Sequence, residues 1–376
     1  MAEQCQETGQ DSVLGEGALT KRKACEESIL TLHAVGSEFL LGIIMAGGRG
    51  TRLMPLTKNR PKPMVPVLGR PVIDYVKDAM VAAGLSEIIV TTGYQGDQLI
   101  ANVDSWQVES RVNQEESPMG TAGSVCLLRD RLTDTFVVGS GDSVASFDID
   151  ELIQAHRESG AKVTMALWEV NDPTEYGIVG LSSEHNGKVE SSLHEGYISK
   201  FKEKPTVEEA FSNLINAGLY IIEPEVMELV PEGEKYDFSK QLFPEVLDRG
   251  WPMYAKTVKG IWFDVGHPFE LHKAQMALIK NRANLPFPMP EGEILPDGSF
   301  ISSTASVSGH IENSIILEGA SVNGAAVNSV VMANSRINGI SESSIIGENC
   351  VIDSRIQRCV IGDNSHILVD IQDEKR

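Results

Sequence analysis

From Ser299 onward the chain repeats itself every fifteen residues, and a fixed period restricts the fold more than any other feature. Blocks beginning at Ser299, Ser314, Ser329, Ser344 and Cys359 carry Phe300-Ile301, Ile315-Ile316, Val330-Val331, Ile345-Ile346 and Val360-Ile361 at their second and third positions. Their ninth positions are Val307, Val322, Ile337, Ile352 and Ile367. One short repeat cannot bury its own apolar face, so copies in register stack and share a continuous core. A β-sandwich also uses short apolar strands, but it would not explain five repeats in strict register. The expectation for 299–373 is a β-solenoid with these apolar residues facing inward. Its strands should run about five or six residues between corners of small or polar residues.

Upstream the pattern is different. Between about 38 and 282, short apolar runs alternate with amphipathic stretches. Phe39–Met45, Ile88–Val90, Thr135–Val138 and Val163–Trp168 read as strands. Pro71–Met80, Gln95–Val103, Thr121–Leu132 and Ile149–Ser159 read as helices, the last closed by Gly160. Such alternation predicts an α/β domain with a mostly parallel, Rossmann-like sheet covered by helices, whose ligands bind beyond the carboxyl ends of the strands. Residues 283–298, rich in proline, read as a linker, and residues 1–37 as a loose, polar N-terminal extension without assignable function.

The turn after Met45 carries the strongest chemical signal. Residues 46–63 read Ala-Gly-Gly-Arg-Gly-Thr-Arg-Leu-Met-Pro-Leu-Thr-Lys-Asn-Arg-Pro-Lys-Pro. Glycines let backbone N–H groups approach an anion closely. Arg49, Arg52, Lys58, Arg60 and Lys62 follow without an intervening acid. The string fits neither the nucleoside-triphosphatase loop nor the dinucleotide fingerprint.

The whole chain has 32 lysines and arginines against 53 acids, a net charge of −21. That field repels polyanions and disfavours nucleic-acid binding, while a small nucleotide beside local cations remains compatible. Cys5, Cys25, Cys126, Cys350 and Cys359 are scattered without metal-ligand or disulfide spacing and read as reduced thiols, which suits a cytoplasmic protein. No apolar run approaches a membrane span, and Lys21-Arg22-Lys23 is followed by Glu26 and Glu27 rather than by the apolar core of a signal peptide.

The eighteen-residue string resembles the signature of the sugar-phosphate nucleotidyltransferases (nucleotide-sugar pyrophosphorylases). Pro118-Met119-Gly120-Thr121-Ala122-Gly123 is similar to that family's base-binding loop. Tyr176-Gly177-Ile178-Val179, Glu203-Lys204-Pro205 and Asn216-Ala217-Gly218-Leu219-Tyr220 are similar to its sugar-phosphate segments. The resemblance covers roughly residues 40–370 and implies that the solenoid is a left-handed β-helix. It also implies transfer of a nucleotidyl group from a nucleoside triphosphate to a sugar 1-phosphate.

By that resemblance, Arg52 and Lys62 hold the triphosphate within the backbone of Gly47, Gly48, Gly50 and Thr51. Lys204 pairs with the sugar phosphate, and Gly177, Glu203 and Asn216 line the sugar subsite. Asp142 and Asp264 would bind Mg2+, which takes one or two carboxylates and completes its shell with water and phosphate oxygens. Ser140 departs from the family's usual asparagine. Arg49, Lys58 and Arg60 read as solvated surface. Asp148 and Asp150 form an Asp-x-Asp string that helix capping explains better than metal binding.

Glu115 bears on the base. Relatives using thymidine or uridine nucleotides commonly carry glutamine there, which donates and accepts as a pyrimidine requires. A carboxylate only accepts, matching the N1–H and amino group of guanine. Glu115 and the Arg-Pro-Lys-Pro-Met string resemble mannose-1-phosphate guanylyltransferases, so GTP and mannose 1-phosphate are the expected pair. An exposed glutamate beside Glu116 is the competing explanation. Thymidylyl or uridylyl transfer to glucose 1-phosphate is the alternative. A bifunctional acyltransferase, for which the repeats offer only His310 and His366, and a non-catalytic regulatory subunit rank lower. A homo-oligomer, a dimer or larger, is implied by the resemblance alone.

Overall fold

The computed structural model describes residues 40–376 apart from 94, 95, 147 and 286. The expected extension 1–37 therefore lies outside the described residues.

A nine-stranded sheet organises the first part. Its strands are β1 (Leu41–Met45), β2 (Glu87–Thr92), β3 (Glu109–Gln114), β4 (Phe136–Ser140), β5 (Val163–Glu169), β6 (Gly177–Ser182), β7 (Glu195–Glu203), β8 (Leu214–Ile222) and β9 (Met253–Thr257). Across the sheet the order is β3-β2-β1-β4-β8-β5-β9-β7-β6. The half from β3 to β4 is parallel, as the alternation predicts. The other half is mixed, because β8 enters antiparallel to both β4 and β5, and β7 runs antiparallel to β9 and β6. Gly42–Ile44 are buried in the middle of β1, which explains its near-continuous apolar run.

The helices include α1 (Ile73–Ala82), α2 (Gly96–Asp104), α3 (Gly120–Cys126), α4 (Ile149–Ser159), α5 (Phe243–Asp248) and α6 (Pro268–Lys280). The helix expected over Thr121–Leu132 stops at Cys126 and resumes as a single 3-10 turn, Arg129–Arg131. Asp148 caps α4 by accepting from the Glu151 N–H, the capping role expected for the first aspartate of the Asp-x-Asp string. The residues expected as a linker carry structure. Gly292–Ile294 pairs antiparallel with Phe300–Ser302 and covers the first coil, and Phe287 packs edge-on against Tyr75 at 4.9 Å.

The repeats form three parallel sheets, one per face, with every pairing offset by fifteen residues: Phe300 with Ile315, Val307 with Val322, Ile311 with Ala326, and onward. This is the β-helix that the period requires. Its strands hold two or three residues rather than the five or six expected, because three strands and three corners must fit into fifteen residues. The doublets also divide. Third positions such as Ile316, Val331, Ile346 and Ile361 fill the interior with Val322, Ile337 and Ile352. Second positions (Phe300, Ile315, Val330, Ile345, Val360) face outward and pack with Leu271, Ala274 and Leu278 of α6. The serines at first positions are buried and form a ladder in which each hydroxyl accepts the backbone N–H of the residue one coil on. Ser314 N–H meets Ser299 Oγ and Ser329 N–H meets Ser314 Oγ at 3.0 Å, Ser344 N–H meets Ser329 Oγ at 3.2 Å, and Cys359 N–H meets Ser344 Oγ at 3.0 Å. A buried N–H left alone would be costly, and this ladder removes that cost.

Candidate active site

The register of β1 against β4 aligns Met45 with Ser140, so two carboxyl ends open side by side. The glycine turn leaves one, and Gly141-Asp142 leaves the other. Immediately beyond, Ser143–Ala145 pairs antiparallel with Trp262–Asp264, placing Asp264 opposite Ser143. A two-stranded ribbon thus brings together two aspartates far apart in sequence. The Trp262 indole N–H donates to the Ala217 carbonyl at 2.9 Å and ties the ribbon to β8.

Lys62 lies between the two carboxylates. Its Nζ donates to Asp142 Oδ2 at 2.6 Å and to Asp264 Oδ1 at 3.1 Å. Arg52 Nη2 lies 3.9 Å from Asp264 Oδ2. Lys62 follows Pro61 and precedes Pro63 in a 3-10 turn, so its backbone is stiff on both sides. Gly50 sits at φ +63°, and a Cβ there would come 2.8 Å from the Lys62 Cβ. The glycine turn therefore seats Lys62 as well as exposing backbone.

Burial opposes the charge on Lys62, but Asp142 and Asp264 more than restore it and hold its pKa above the ordinary lysine value. Burial likewise opposes ionisation of Asp142, yet the Lys62 ammonium and the hydroxyl of Ser140, which donates at 2.6 Å, keep that carboxyl below its usual range. Ser140 is thus a buttress for Asp142. Asp264 goes the other way: burial, reinforced by the negative charge of Asp142, raises it despite Lys62.

The pair fits a divalent cation in its donor chemistry, since the two carboxylates already share one cationic group in the Lys62 ammonium. Among the described residues no cluster of three or more His, Cys, Asp or Glu could hold a metal by protein alone. Two carboxylates completed by phosphate oxygens are what magnesium commonly uses.

A cleft of about 710 Å³ extends from this cradle, lined by Gly47, Gly48, Arg49, Glu115, Gly120, Asp142 and others. Gly47 and Gly48 are exposed on its wall. Thr51 opens the next 3-10 turn, outside that lining. Glu115 is buried (9% exposed), which removes the exposed-surface explanation for it. Its Oε2 accepts the Met119 N–H at 3.0 Å. Burial raises its pKa, partly offset by Met119 and Ser124. Gly120 sits at φ +77°, with the Tyr236 carbonyl 2.5 Å from where a Cβ would be. Close approach of that backbone is therefore reason enough for a glycine.

Gly177, Glu203, Lys204 and Asn216 are not among the residues that line this cleft. Gly177 pairs with Glu203 in register, and a Cβ on Gly177 would lie 2.8 Å from the Glu203 carboxylate. Burial raises the Glu203 pKa, Asp237 adds to it, and Lys204 and Lys240 oppose it. Asn216 lies where β8 shifts register. Its Nδ2 donates to the Tyr220 hydroxyl at 2.8 Å, and its Oδ1 accepts the Gly218 N–H at 2.9 Å. Lys204 holds a left-handed backbone (φ +45°) and donates its own N–H to the Tyr176 carbonyl at 2.9 Å.

The sequence reading missed Glu175. Its carboxylate stands 3.8 Å from Arg52 and 3.9 Å from the Lys204 ammonium, linking the two halves of the site. Lys235 and Asp237 also line the cleft and carried no pattern that would have identified them. Arg60 corrects an expectation: it is no solvated surface group but is largely buried and paired with Glu348 and Asp363 of the repeats. Arg49 is exposed at the cleft, and Lys58 is exposed. His310 and His366 stand on different faces of the β-helix, paired with Glu312 and Asp353, so within the chain they share no cleft.

A family model described as "Nucleotidyl transferase" matches residues 41–281. The mannose-1-phosphate guanylyltransferase catalytic subunit beta of Xenopus tropicalis is 32% identical over 233 residues, covering 60% of this chain and 61% of that protein. A UTP–glucose-1-phosphate uridylyltransferase of Synechocystis is 33% identical over 241 residues, covering 60% and 59%. Mannose-1-phosphate guanylyltransferase 1 of Arabidopsis thaliana is 29% identical over 274 residues, covering 70% and 72%. The chain thus spans about 60% of the length of the first two relatives. A Bacillus anthracis structure, described as a glucose-1-phosphate thymidylyltransferase in complex with a sucrose, superposes with a TM-score of 0.54 at 24% identity. It covers 63% of this chain and 94% of the other, a likeness of fold. No helix among the described residues is long and apolar enough to cross a membrane.

Proposed function

Because the chain belongs to the nucleotidyl transferase family, we propose that it transfers a nucleotidyl group from a nucleoside triphosphate to a sugar 1-phosphate. An oxygen of the sugar phosphate attacks the α-phosphorus, the bond to the bridging oxygen breaks, and its electron pair leaves with pyrophosphate. The second pKa of a phosphate monoester is near ~6, so the nucleophile is already ionised at neutral pH and no general base is needed. The barrier is repulsion between anions, which positioning and cations overcome. The observation that carries this reading is Lys62 held between Asp142 and Asp264 at the mouth of the glycine turn, with Arg52 beside them.

Arg52 and Lys62 neutralise the triphosphate and the departing pyrophosphate, and the Gly47–Gly50 backbone approaches it closely. Lys204 holds the sugar phosphate, and Glu203 and Asn216 face the sugar. Asp142 and Asp264 would hold Mg2+, which draws charge from the phosphates when bound. Lys62 then has its charge free for the substrate. The ionised carboxylate of Glu115 suits the N1–H and amino group of guanine, and several relatives are named as mannose-1-phosphate guanylyltransferases, so GTP and mannose 1-phosphate form the proposed pair. The similarly distant uridylyltransferase keeps UTP with glucose 1-phosphate as the second reading.

Pyrophosphate release is measured with ATP, CTP, GTP, UTP and dTTP against mannose 1-phosphate and glucose 1-phosphate, with and without Mg2+. GTP with mannose 1-phosphate should dominate, and Asp142→Asn should lower turnover by about 100-fold or more. Absence of turnover with every pair, or an Asp142→Asn variant as active as the parent, overturns the reading.

A further inference from the structure

Arg60 is two residues from Lys62, and its side chain is only 13% exposed. Nη1 donates to Glu348 at 2.8 Å and Nη2 to Asp363 at 2.5 Å. Glu348 and Asp363 occupy the same fifth position of consecutive coils, stacked one above the other on the β-helix. Adjacent strands lie about 4.8 Å apart, so two acids on one corner repel unless a cation joins them. The corresponding positions of the preceding coils hold Ser303, Glu318 and Ala333, so paired acids occur only where Arg60 arrives. The acids are themselves organised, because Asp363 Oδ1 accepts the Glu348 N–H at 2.8 Å. Close by, a Cβ at Gly362 would lie 2.9 Å from Pro55, so the last coil presses on the segment that follows the glycine turn. Burial opposes the Arg60 charge, and the two acids outweigh it.

Between this anchor and Lys62 stands only Pro61, whose ring fixes φ. A guanidinium gripped by two carboxylates is a planar, directional attachment, unlike a point charge. We propose that Glu348 and Asp363 of the β-helix act through Arg60 as positioning residues for Lys62, making the solenoid part of the machinery that aims this ammonium at the triphosphate. The inference rests on the proposed reaction only for its kinetic consequence; the placement of Lys62 can be read without turnover.

The test uses the full chain with Glu348→Gln, Asp363→Asn and the double substitution. Arg358→Gln, which breaks an exposed pair with Asp373 on the same β-helix, serves as the control. Acylation of Lys62 by an amine-reactive ester, followed by peptide mass, reports its placement, and pyrophosphate release reports catalysis. The double variant should label Lys62 about five-fold faster and lose about ten-fold in kcat, with KM for the sugar phosphate changed less than about two-fold. Circular dichroism should show the fold retained, and Arg358→Gln should match the parent in both assays. Unchanged labelling of Lys62 in the double variant overturns the proposal, even if thermal stability falls. If the parent has no turnover with any substrate pair, the reaction reading fails while the labelling arm still decides this one.

Discussion

Glu115→Gln gives the sharpest test of base choice, because the structure dictates how the new side chain must lie. The Met119 N–H needs an acceptor, and Oε2 supplies it at 3.0 Å. In the variant the amide oxygen takes that place, which turns the NH2 group toward the cleft. An acceptor facing the base thereby becomes a donor. Guanine presents N1–H and an amino group on that edge, so donor meets donor, whereas a pyrimidine carbonyl gains a partner. A hydrogen bond to a charged group contributes about 1.5–3 kcal/mol. Losing one such bond lowers kcat/KM for GTP by roughly 10- to 150-fold, and the GTP/UTP ratio falls further because UTP improves. The assay is pyrophosphate release with each nucleotide at saturating sugar phosphate.

The sign of the pH effect follows from burial. Glu115 titrates above an ordinary glutamate, and only its ionised form offers both oxygens as acceptors without placing an O–H donor against guanine. GTP affinity is therefore complete above that raised pKa and lost as pH falls through it, at a higher pH than a solvated glutamate would give. UTP affinity should not share this limb. A GTP/UTP ratio within two-fold of the parent's in Glu115→Gln would refute the reasoning about the base.

Three further outcomes follow from geometry. Lys62→Met leaves Asp142 and Asp264 facing each other without their cation, so unfolding free energy should drop by about 3 kcal/mol near neutral pH. The stabilisation that Lys62 lends Asp142 is complete above the ordinary aspartate pKa and lost as pH falls through the depressed one, so the deficit should narrow only below about pH 4 in denaturant titrations. Gly120→Ala should cost about 1–3 kcal/mol by thermal unfolding, since φ +77° and the Tyr236 carbonyl both oppose a Cβ. Ser329→Ala removes the acceptor for the Ser344 N–H and should destabilise the β-helix by about 1–3 kcal/mol, with faster amide exchange at Ser344 by mass spectrometry.

Much of the architecture was legible because it is periodic. The fifteen-residue repeat and the alternation of strands and helices both express which face is buried, and burial writes itself into composition. What period could not tell was which of two adjacent apolar positions looks inward. Ile315 and Ile316 are chemically identical, and only α6 lying against one face separates them. The cradle of Lys62, Asp142 and Asp264 was foreseeable from resemblance, but the ribbon that joins them was not, since its strands hold only three residues each. Glu175 and Arg60 escaped for a common reason. Each matters through a partner distant in sequence, and a lone charge in a chain with 53 acids carries no local mark.

The serine ladder has a consequence for how the β-helix can vary. Each hydroxyl accepts the N–H one coil on and donates locally, as Ser314 does to the Glu312 carbonyl, so a coil of fifteen residues could be removed whole and every remaining rung would re-form. Deleting 314–328 would thus leave a sound solenoid, yet bring Asp363 down to the place of Glu348 and leave Arg60 with one of its two acids. Losing a coil lowers stability by one repeat and one interface, a graded effect, whereas its effect on alignment is decisive. The repeats behave as a ruler whose graduations are one strand spacing, about 4.8 Å, and whose zero is set by Gly292–Ile294 paired on the first coil.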